Sequence, residues 1–230
     1  MAATLDAETF LARGILAMGL VIENEAAVLA RLNRYFGELQ KWNKKVNLVA
    51  RTLDDEQVLE NHFLDSLSLL SLLPPSARQR ETVLDIGTGA GFPGLVLKAA
   101  CPNLRVTLVE PRKNRYFFLK HIVRLLELTN LEILNVRLDE GGETPELVGR
   151  SFSFVTSRAF TGIVPFVKLA APCLAEGGRI VLMKGPGATG ELAEMEGRKL
   201  EGRFRVTAVE RLRLPFSGGK RLLLTIRACG

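Results

Sequence analysis

A glycine-rich turn carries the clearest chemical signal in this sequence. The segment DIGTGAGFPG, residues 85–94, follows a short apolar run and precedes an apolar helical stretch, so it joins a predicted strand to a predicted helix. Glycines let a chain turn tightly and let a ligand approach the backbone, and Pro93 suits the first turn of a helix. We therefore expect a nucleotide-like ligand beyond the carboxyl end of that strand, at the helix N-terminus.

Two acids beside this turn bear on which cofactor it binds. Gly89, Gly91 and Gly94 satisfy the GxGxxG pattern of dinucleotide-binding proteins, which is a weak signal by itself. Asp85 immediately precedes the turn, and its carboxylate would repel a pyrophosphate but attract the ammonium and sulfonium groups of S-adenosylmethionine. Glu110, at the end of the next predicted strand, can accept ribose hydroxyls in either case. We therefore favour S-adenosylmethionine over NAD as the cofactor.

The elements that position these residues fall into two parts. Apolar side chains recur at helical spacing from Glu25 to Trp42 and from about Asp55 to Leu73, where Pro74-Pro75 ends the second stretch. The polar segment from Pro74 to Glu81 then separates the two parts. We predict a helical N-terminal segment over residues 1–76 and a second domain over residues 77–230.

The second part alternates short apolar runs with helical stretches. The runs TVLDI, RVTLVE, LEIL, SFSFVTS and RIVLMK predict parallel strands with helices on both faces of the sheet. The last two runs, RFRVTAVERLRL and KRLLLTIRA, are joined by PFSGG without a helix and predict an antiparallel hairpin. The predicted fold class is α/β, a Rossmann-like, seven-stranded and mostly parallel sheet with a C-terminal hairpin. That hairpin is not part of the dinucleotide-binding fold, so it further favours S-adenosylmethionine over NAD as the cofactor.

Composition excludes several classes of protein. The chain has 230 residues, of which 47% are hydrophobic and 24% charged, so it is neither disordered nor a disulfide scaffold. Its cysteines (Cys101, Cys173 and Cys229) lie far apart, which indicates inert thiols, a reducing compartment and no zinc site. No stretch of about 18 residues lacks charge, and the first residues do not resemble a secretory signal. We expect a cytoplasmic protein with no metal and no membrane partner.

The positive charges form two groups along the chain. The formal net charge is +6, which suits a polyanionic partner such as nucleic acid, although simple solubility explains the charge alone equally well. Each group places several cations within a short stretch of the sequence. The first group comprises Lys41, Lys44, Lys45 and Arg51 around Trp42, and the second comprises Arg112, Lys113, Arg115, Lys120 and Arg124.

Short motifs in a fixed order resemble one known family. WNKKVNL, HFLDSL, DIGTGAGFPG, SRAF and LMKG are similar to the motifs of the RsmG family, also called GidB, and the resemblance extends roughly from Leu32 to Arg227. That family has a class I S-adenosylmethionine-dependent methyltransferase domain behind a short helical segment. The resemblance implies methyl transfer to N7 of a guanine in 16S ribosomal RNA, with the small ribosomal subunit or its precursor as partner.

The resemblance also implies site residues. The positions that match the family's cofactor-binding residues are Asp85, Gly87, Gly89, Phe92, Glu110, Leu138, Asp139 and Arg158. Arg158, in SRAF, would be catalytic by orienting cofactor and base, or alternatively would pair with a nearby acid for structural reasons. The family usually has glutamate in place of Asp139, serine in place of Pro111 and lysine in place of Asn114, which leaves the details of the ribose loop open.

The chemistry implied by the resemblance agrees with an absence in the sequence. Guanine N7 has a lone pair and no proton, so its methylation requires alignment but no general base. The segment after the fourth predicted strand accordingly lacks the Asp/Asn-Pro-Pro-Tyr tetrapeptide of amino-nitrogen methyltransferases. The roles of His62, Asn47 and Lys184 stay open. The alternative functions are an NAD-dependent oxidoreductase and a non-enzymatic RNA-binding or ribosome-assembly factor.

Overall fold

A central sheet organises the protein. The structure is a computed structural model that describes residues 6–138, 144–158, 162–188, 190–192 and 203–229, and within these residues it contains a seven-stranded sheet. The strands are β1 Thr82–Ile86, β2 Arg105–Val109, β3 Leu131–Leu134, β4 Phe152–Arg158, β5 Leu174–Lys184, β6 Phe204–Arg213 and β7 Lys220–Ala228. Each begins or ends within a few residues of a predicted apolar run, except that β5 starts earlier than RIVLMK.

The strand order is β3-β2-β1-β4-β5-β7-β6, which confirms the predicted sheet. β1 to β5 pair in parallel, whereas β7 pairs antiparallel with both β5 and β6 and so forms the predicted C-terminal hairpin. β1 lies between β2 and β4, with Asp85 in register with Leu108 and Thr156. The order of the strands reverses at this point, and such switch points leave a crevice at the carboxyl ends of the strands.

Helices cover both faces of the sheet. They are α6 Gly94–Ala100 and α7 Lys113–Leu125 on one face and α8 Ile163–Ala170 on the other. Neighbouring residues of β1 show the alternation, since Val83 packs with the α6 and α7 side and Leu84 with the α8 side. Both faces of the central strands are therefore buried, as the continuous apolar runs predict.

The N-terminal part is helical and includes one irregular stretch. Its regular helices are α1 Ala7–Ala17, α2 Glu25–Asn43, α3 Asp55–Val58, α4 Asp65–Leu67 and α5 Pro75–Arg78. A π-helical turn, Leu59–Leu64, joins α3 to α4, and a 3₁₀ segment, Ser68–Leu72, follows α4. The stretch predicted as one helix thus changes its pitch within the chain.

The segment after this stretch contains a short helix. The sequence places the boundary between the two parts over residues 74–81, and the structure has a short helix, α5, that begins there at Pro75. Proline fits the first position of a helix because its missing N–H would have no intrahelical partner there. Arg78, in α5, is buried and donates hydrogen bonds to the carbonyl oxygens of Leu73 and Val21, so this segment is packed against the connection between α1 and α2.

The helices of the N-terminal part share one hydrophobic core with the sheet. Tyr35 of α2 and Phe63 of the π-helical turn are fully buried against Phe92 of the glycine-rich turn. The Tyr35 hydroxyl donates a hydrogen bond to the carbonyl oxygen of Ala90 in that turn. The core is continuous across the predicted boundary between residues 76 and 77, and the division into two domains stays a prediction.

We expect Tyr35→Phe to lower the free energy of unfolding by roughly 1–3 kcal/mol, because it leaves the buried Ala90 carbonyl without its donor. Urea denaturation measures this change. Tyr116→Phe is the matched control, since Tyr116 is the other tyrosine of the chain and lies half-buried on α7. Equal changes in the two variants would show that the Tyr35 hydroxyl does not hold the turn.

Candidate active site

A pocket opens where the strand order reverses. Its volume is about 380 Å³, and it lies at the carboxyl ends of β1, β2 and β4, beside the N-terminus of α7. Predicted site residues form part of its wall, namely Gly87, Glu110, Leu138 and Arg158. Its other wall residues include Val136, Arg137 and Arg115, so apolar side chains and cations line the same cavity.

The glycine-rich turn contributes Gly87 to the wall of this pocket. Gly87 and Gly89 have φ angles of 72° and 64°, in the left-handed region that favours glycine. At Gly94, a Cβ atom would lie 2.8 Å from the Cβ of Asp85, so only glycine lets α6 begin this close to β1. Pro93 occupies the N-cap position of α6, directly before the first helical residue.

Asp85 lies beneath the turn instead of in the pocket wall. Its carboxylate is fully buried, and Oδ2 accepts hydrogen bonds from Thr88 Oγ1 at 2.6 Å and from the Gly94 backbone N–H at 2.8 Å. Oδ1 is buried and has no hydrogen-bond partner among the residues that the structure describes. Burial raises the pKa of Asp85 to about 6, against the opposing effect of these two hydrogen bonds and of Arg158.

Glu110 connects the glycine-rich turn to the loop after β2. The residue is 2% exposed, and Oε2 accepts a hydrogen bond from the Gly89 backbone N–H at 2.9 Å. Oε1 accepts one from the Arg112 backbone N–H at 2.8 Å. Each carboxylate oxygen has a second lone pair, so Glu110 can accept hydrogen bonds from both backbone groups and also from the hydroxyl groups of a ligand.

Phe92 lies in an aromatic cluster behind the pocket. Its ring is 3% exposed and stacks on His62 at 5.0 Å between ring centroids. Tyr35 and Phe63 contact the same ring at 5.9 and 5.3 Å. The Arg158 guanidinium lies 5.2 Å from the ring centroid, so Phe92 supports a residue of the pocket wall.

Arg158 is held by the irregular helical stretch of the N-terminal part. Its guanidinium donates hydrogen bonds to the Asn61 carbonyl oxygen and to His62 Nδ1, both at 2.6 Å, and lies 3.6 Å from Asp65 Oδ2. Arg221 of β7 binds the other oxygen of Asp65 at 3.2 Å. Arg158 therefore lines the pocket and also pairs with an acid, and its catalytic role stays a prediction.

His62 is neutral in this arrangement. Burial lowers its pKa to about 3, and the positive charges of Arg158 and Arg221 act in the same direction. Nδ1 accepts the hydrogen bond from Arg158, so Nε2 carries the ring proton. Nε2 is buried, and no acceptor for it occurs in the described part of the chain.

The π-helical turn that carries Asn61 and His62 was not predicted. Such turns insert an extra residue into a helix and often occur at functional sites. The apolar spacing around HFLDSL fits an ordinary helix equally well, so the sequence offered no signal for the irregular pitch. The motif itself was the only available indication that this stretch serves the site.

The remaining predicted residues have various locations. Leu138 lines the pocket, whereas Asp139 lies outside the described residues. The Asn47 carbonyl oxygen accepts a hydrogen bond from Arg115, and Lys184 Nζ lies 3.7 Å from Glu191 Oε2 at the end of β5. Trp42, for which base stacking was considered, packs against Phe118 and His121.

Metal ligands, membrane-spanning helices and reactive thiols are the other features that could indicate function. No group of His, Cys, Asp or Glu side chains in the described ranges is arranged to hold a metal ion. Within the same ranges, no helix combines the length and hydropathy that crossing a bilayer requires. Cys101 and Cys173 are buried, and burial raises the pKa of both thiols, as expected for inert side chains.

Comparison with known proteins gives a family match over most of the chain. A sequence profile of the family described as rRNA small subunit methyltransferase G matches residues 28–223. A relative of that name from Desulfotalea psychrophila is 43% identical over 218 residues, which cover 94% of this chain and 96% of the relative. One from Myxococcus xanthus is 41% identical over 93% of this chain and 94% of its own length.

Solved structures share the fold. An S-adenosylmethionine-dependent methyltransferase from Aquifex aeolicus superposes with a TM-score of 0.54 at 19% identity, over 81% of this chain and 97% of that one. A ribosomal protein L11 methylase from Lactobacillus delbrueckii gives a TM-score of 0.53 at 13% identity, over 74% and 79% of the two chains. The predicted class I methyltransferase fold is confirmed.

We expect Asp85→Asn to change how stability depends on pH. The pKa of Asp85 is about 6 in the folded chain, above the ordinary aspartate value of 3.8, so ionisation of this carboxyl lowers stability as pH rises between these values. The variant has no carboxyl to ionise at this position, so it does not lose this stability. The free energy of unfolding of the variant minus that of the parent should therefore increase by roughly 1–3 kcal/mol as the pH rises between the two pKa values. Urea denaturation at a series of pH values measures the difference.

Asp6→Asn is the control for this prediction. A hydrogen bond from Thr9 lowers the pKa of the exposed Asp6 carboxyl, so its ionisation favours the folded chain. The difference between this variant and the parent should therefore have the opposite sign. A difference between Asp85→Asn and the parent that is independent of pH would contradict the assignment of a buried, reluctantly ionised carboxyl.

Proposed function

The chain belongs to the rRNA small subunit methyltransferase G family, and we propose that it transfers a methyl group from S-adenosylmethionine to N7 of a guanine in 16S ribosomal RNA. The observation that carries the proposal is the pocket at the switch point of the sheet, with Glu110 and the glycine-rich turn in its wall. The proposed substrate is part of the small ribosomal subunit, so we place the reaction in the cytoplasm.

The residues of the pocket fit this cofactor. Glu110 would accept the ribose hydroxyls, and Leu138 with Val136 provides an apolar surface for the adenine. Gly87 exposes the backbone of the turn to the pocket. The buried, unpartnered Oδ1 of Asp85 adds negative charge behind that turn, which suits the cationic groups of S-adenosylmethionine and disfavours a pyrophosphate.

Several proposed cofactor residues act through the turn in this scheme. Asp85 fixes the turn through Thr88 and Gly94, and Glu110 fixes it through the N–H of Gly89. Phe92 supports Arg158 from behind the pocket. We propose that these contacts hold the binding surface in shape before the cofactor arrives, which reduces the ordering cost of binding.

The proposed chemistry needs alignment and no proton transfer. When bound, S-adenosylmethionine supplies an electrophilic methyl group. Guanine N7 carries no proton, and the neutral His62, with a pKa of about 3 and Nδ1 bound to Arg158, is a poor general base. Arg158 is anchored by Asn61, His62 and Asp65, and a guanidinium held in this way can orient the base and the cofactor carboxylate.

One contact beside the pocket links the two stretches of the chain that carry the basic groups. Arg115, which lines the pocket, donates a hydrogen bond at 3.2 Å to the Asn47 carbonyl oxygen. This contact places the loop that carries Lys44, Lys45 and Arg51 next to the N-terminus of α7. Basic side chains near the mouth of the pocket suit the phosphates of an RNA substrate.

Transfer of labelled methyl groups tests the function directly. The protein should label 16S ribosomal RNA from cells that lack the corresponding enzyme, and chemical cleavage at N7-methylguanine should map the label to one guanine. S-adenosylhomocysteine should inhibit the reaction, whereas NAD should not. Label on an amino nitrogen or on carbon would refute the N7 assignment, and RNA binding without any transfer would favour a non-enzymatic factor.

We expect Arg158→Ala to lower the turnover number by about tenfold to a hundredfold, because the base and the cofactor lose an orienting donor. Arg221→Ala is the matched control, since Arg221 also pairs with Asp65 but does not line the pocket. Single-turnover kinetics and calorimetric binding of S-adenosylhomocysteine separate the two roles. Equal losses of turnover in both variants would reduce Arg158 to a structural partner of Asp65.

A further inference from the structure

One face of α7 is exposed along its whole length. The residues at helical positions separated by four, three and four places are Lys113, Phe117, Lys120 and Arg124, and all of them are exposed. The opposite face, with Phe118, Leu119 and Ile122, is fully buried in the core. We call the four exposed residues the α7 stripe.

The α7 stripe combines an aromatic ring with positive charge. Phe117 is 48% exposed, although a phenylalanine side chain normally gains free energy by burial. Phe216, the other phenylalanine with a largely exposed side chain in the described part of the chain, packs its ring against Phe10 and Arg13. Phe117 instead contacts Tyr116 at 5.6 Å between ring centroids, and Lys120 lies over that tyrosine ring.

The charge on this helix has one sign. The sequence of α7, KNRYFFLKHIVRL, contains no aspartate or glutamate, and the first acid after it is Glu127. From Lys113 to Arg124 an α-helix rises about 16 Å. The α7 stripe therefore presents cations on both sides of an exposed ring, over a distance that a few nucleotides occupy.

The position of the stripe relates it to the pocket. Arg112 and Arg115, at the N-terminal end of α7, are part of the pocket wall, and the stripe begins at Lys113 between them. A chain that enters the pocket at this point can continue along the stripe. Because bases in a duplex are stacked and paired, an exposed ring beside such a path is useful only for an unpaired base.

We propose that the α7 stripe binds single-stranded RNA adjacent to the target guanine, with an unpaired base stacked on Phe117 and phosphates bound by Lys113, Lys120 and Arg124. The proposal rests on the proposed function, since it supplies the substrate contact of that same pocket. Stacking on an aromatic side chain tolerates any base, so the stripe contributes affinity and direction, and the pocket selects the guanine.

Fluorescence anisotropy with a labelled twelve-nucleotide single strand tests the aromatic contact. We expect Phe117→Ser to weaken binding about tenfold, because stacking on one aromatic ring contributes affinity of this order. Phe117→Trp keeps an aromatic ring at this position and should therefore retain the affinity of the parent protein. The same RNA annealed to its complement should bind more weakly to the parent protein and should not respond to Phe117→Ser.

The salt dependence of binding tests the cationic contacts. Replacing Lys113, Lys120 and Arg124 by glutamine should reduce the slope of log Kd against log salt concentration by about 2, as expected for three phosphates on a single strand. The matched control replaces Arg203, Arg205 and Arg211 by glutamine. These side chains are exposed at or near β6, at the opposite edge of the sheet, and their loss removes the same charge with little expected effect on the slope.

The outcomes separate this proposal from its rivals. Equal slopes in the two triple variants would show general attraction, and unchanged affinity of Phe117→Ser would show that no base stacks there; each overturns the proposal. If the stripe variants kept the parent's affinity for RNA but lost methylation only when the substrate was the assembled subunit, the partner of the stripe would be a ribosomal protein instead. Absence of methyl transfer by the parent protein would refute the proposed function, while the anisotropy experiment would still decide the role of the stripe.

Discussion

The shape of the pocket depends on two buried carboxylates, those of Asp85 and Glu110. Backbone N–H groups of the glycine-rich turn donate hydrogen bonds to both. Burial of a carboxylate costs free energy unless hydrogen bonds compensate for the lost water. The glycine-rich turn supplies those bonds, from Gly94 to Asp85 and from Gly89 to Glu110. Asp85 belongs to β1, and Glu110 directly follows β2. The turn is thereby fixed to two adjacent strands of a sheet that is buried on both faces, which keeps the binding surface rigid.

The N-terminal helices complete this arrangement from the other side. Tyr35 binds the carbonyl oxygen of Ala90, and the π-helical turn presents Asn61 and His62 to Arg158. Buried charges are stable only when each has its partners, because the loss of one partner leaves the other charge buried and unpaired. Burial raises the pKa of Asp65, whereas its two arginine partners oppose that effect. The helical part is therefore a structural component of the pocket as well as a source of basic side chains beside it.

Part of the fold and of the site was accessible from the sequence. The apolar runs located the strands, and the missing helix between the last two runs identified the hairpin. The glycine-rich turn and Glu110 indicated the position of the pocket, and the short motifs identified the family. The short helix α5 was not predicted, because proline both ends one helix and begins another. The orientation of Asp85, away from the pocket wall, was not anticipated.

The sequence by itself determined the positions of the strands and of the longer helices, because the periodicity of apolar residues is a local property that each face of an element must satisfy. It also determined the chemical types available at the turn. The tertiary structure alone decided which distant groups meet. Arg158 finds its partner carbonyl 97 positions earlier in the chain, and the α7 stripe lies beside the pocket through the order of the strands. Such contacts depend on which elements pack together in three dimensions, and the choice of partner leaves no periodic pattern along the chain.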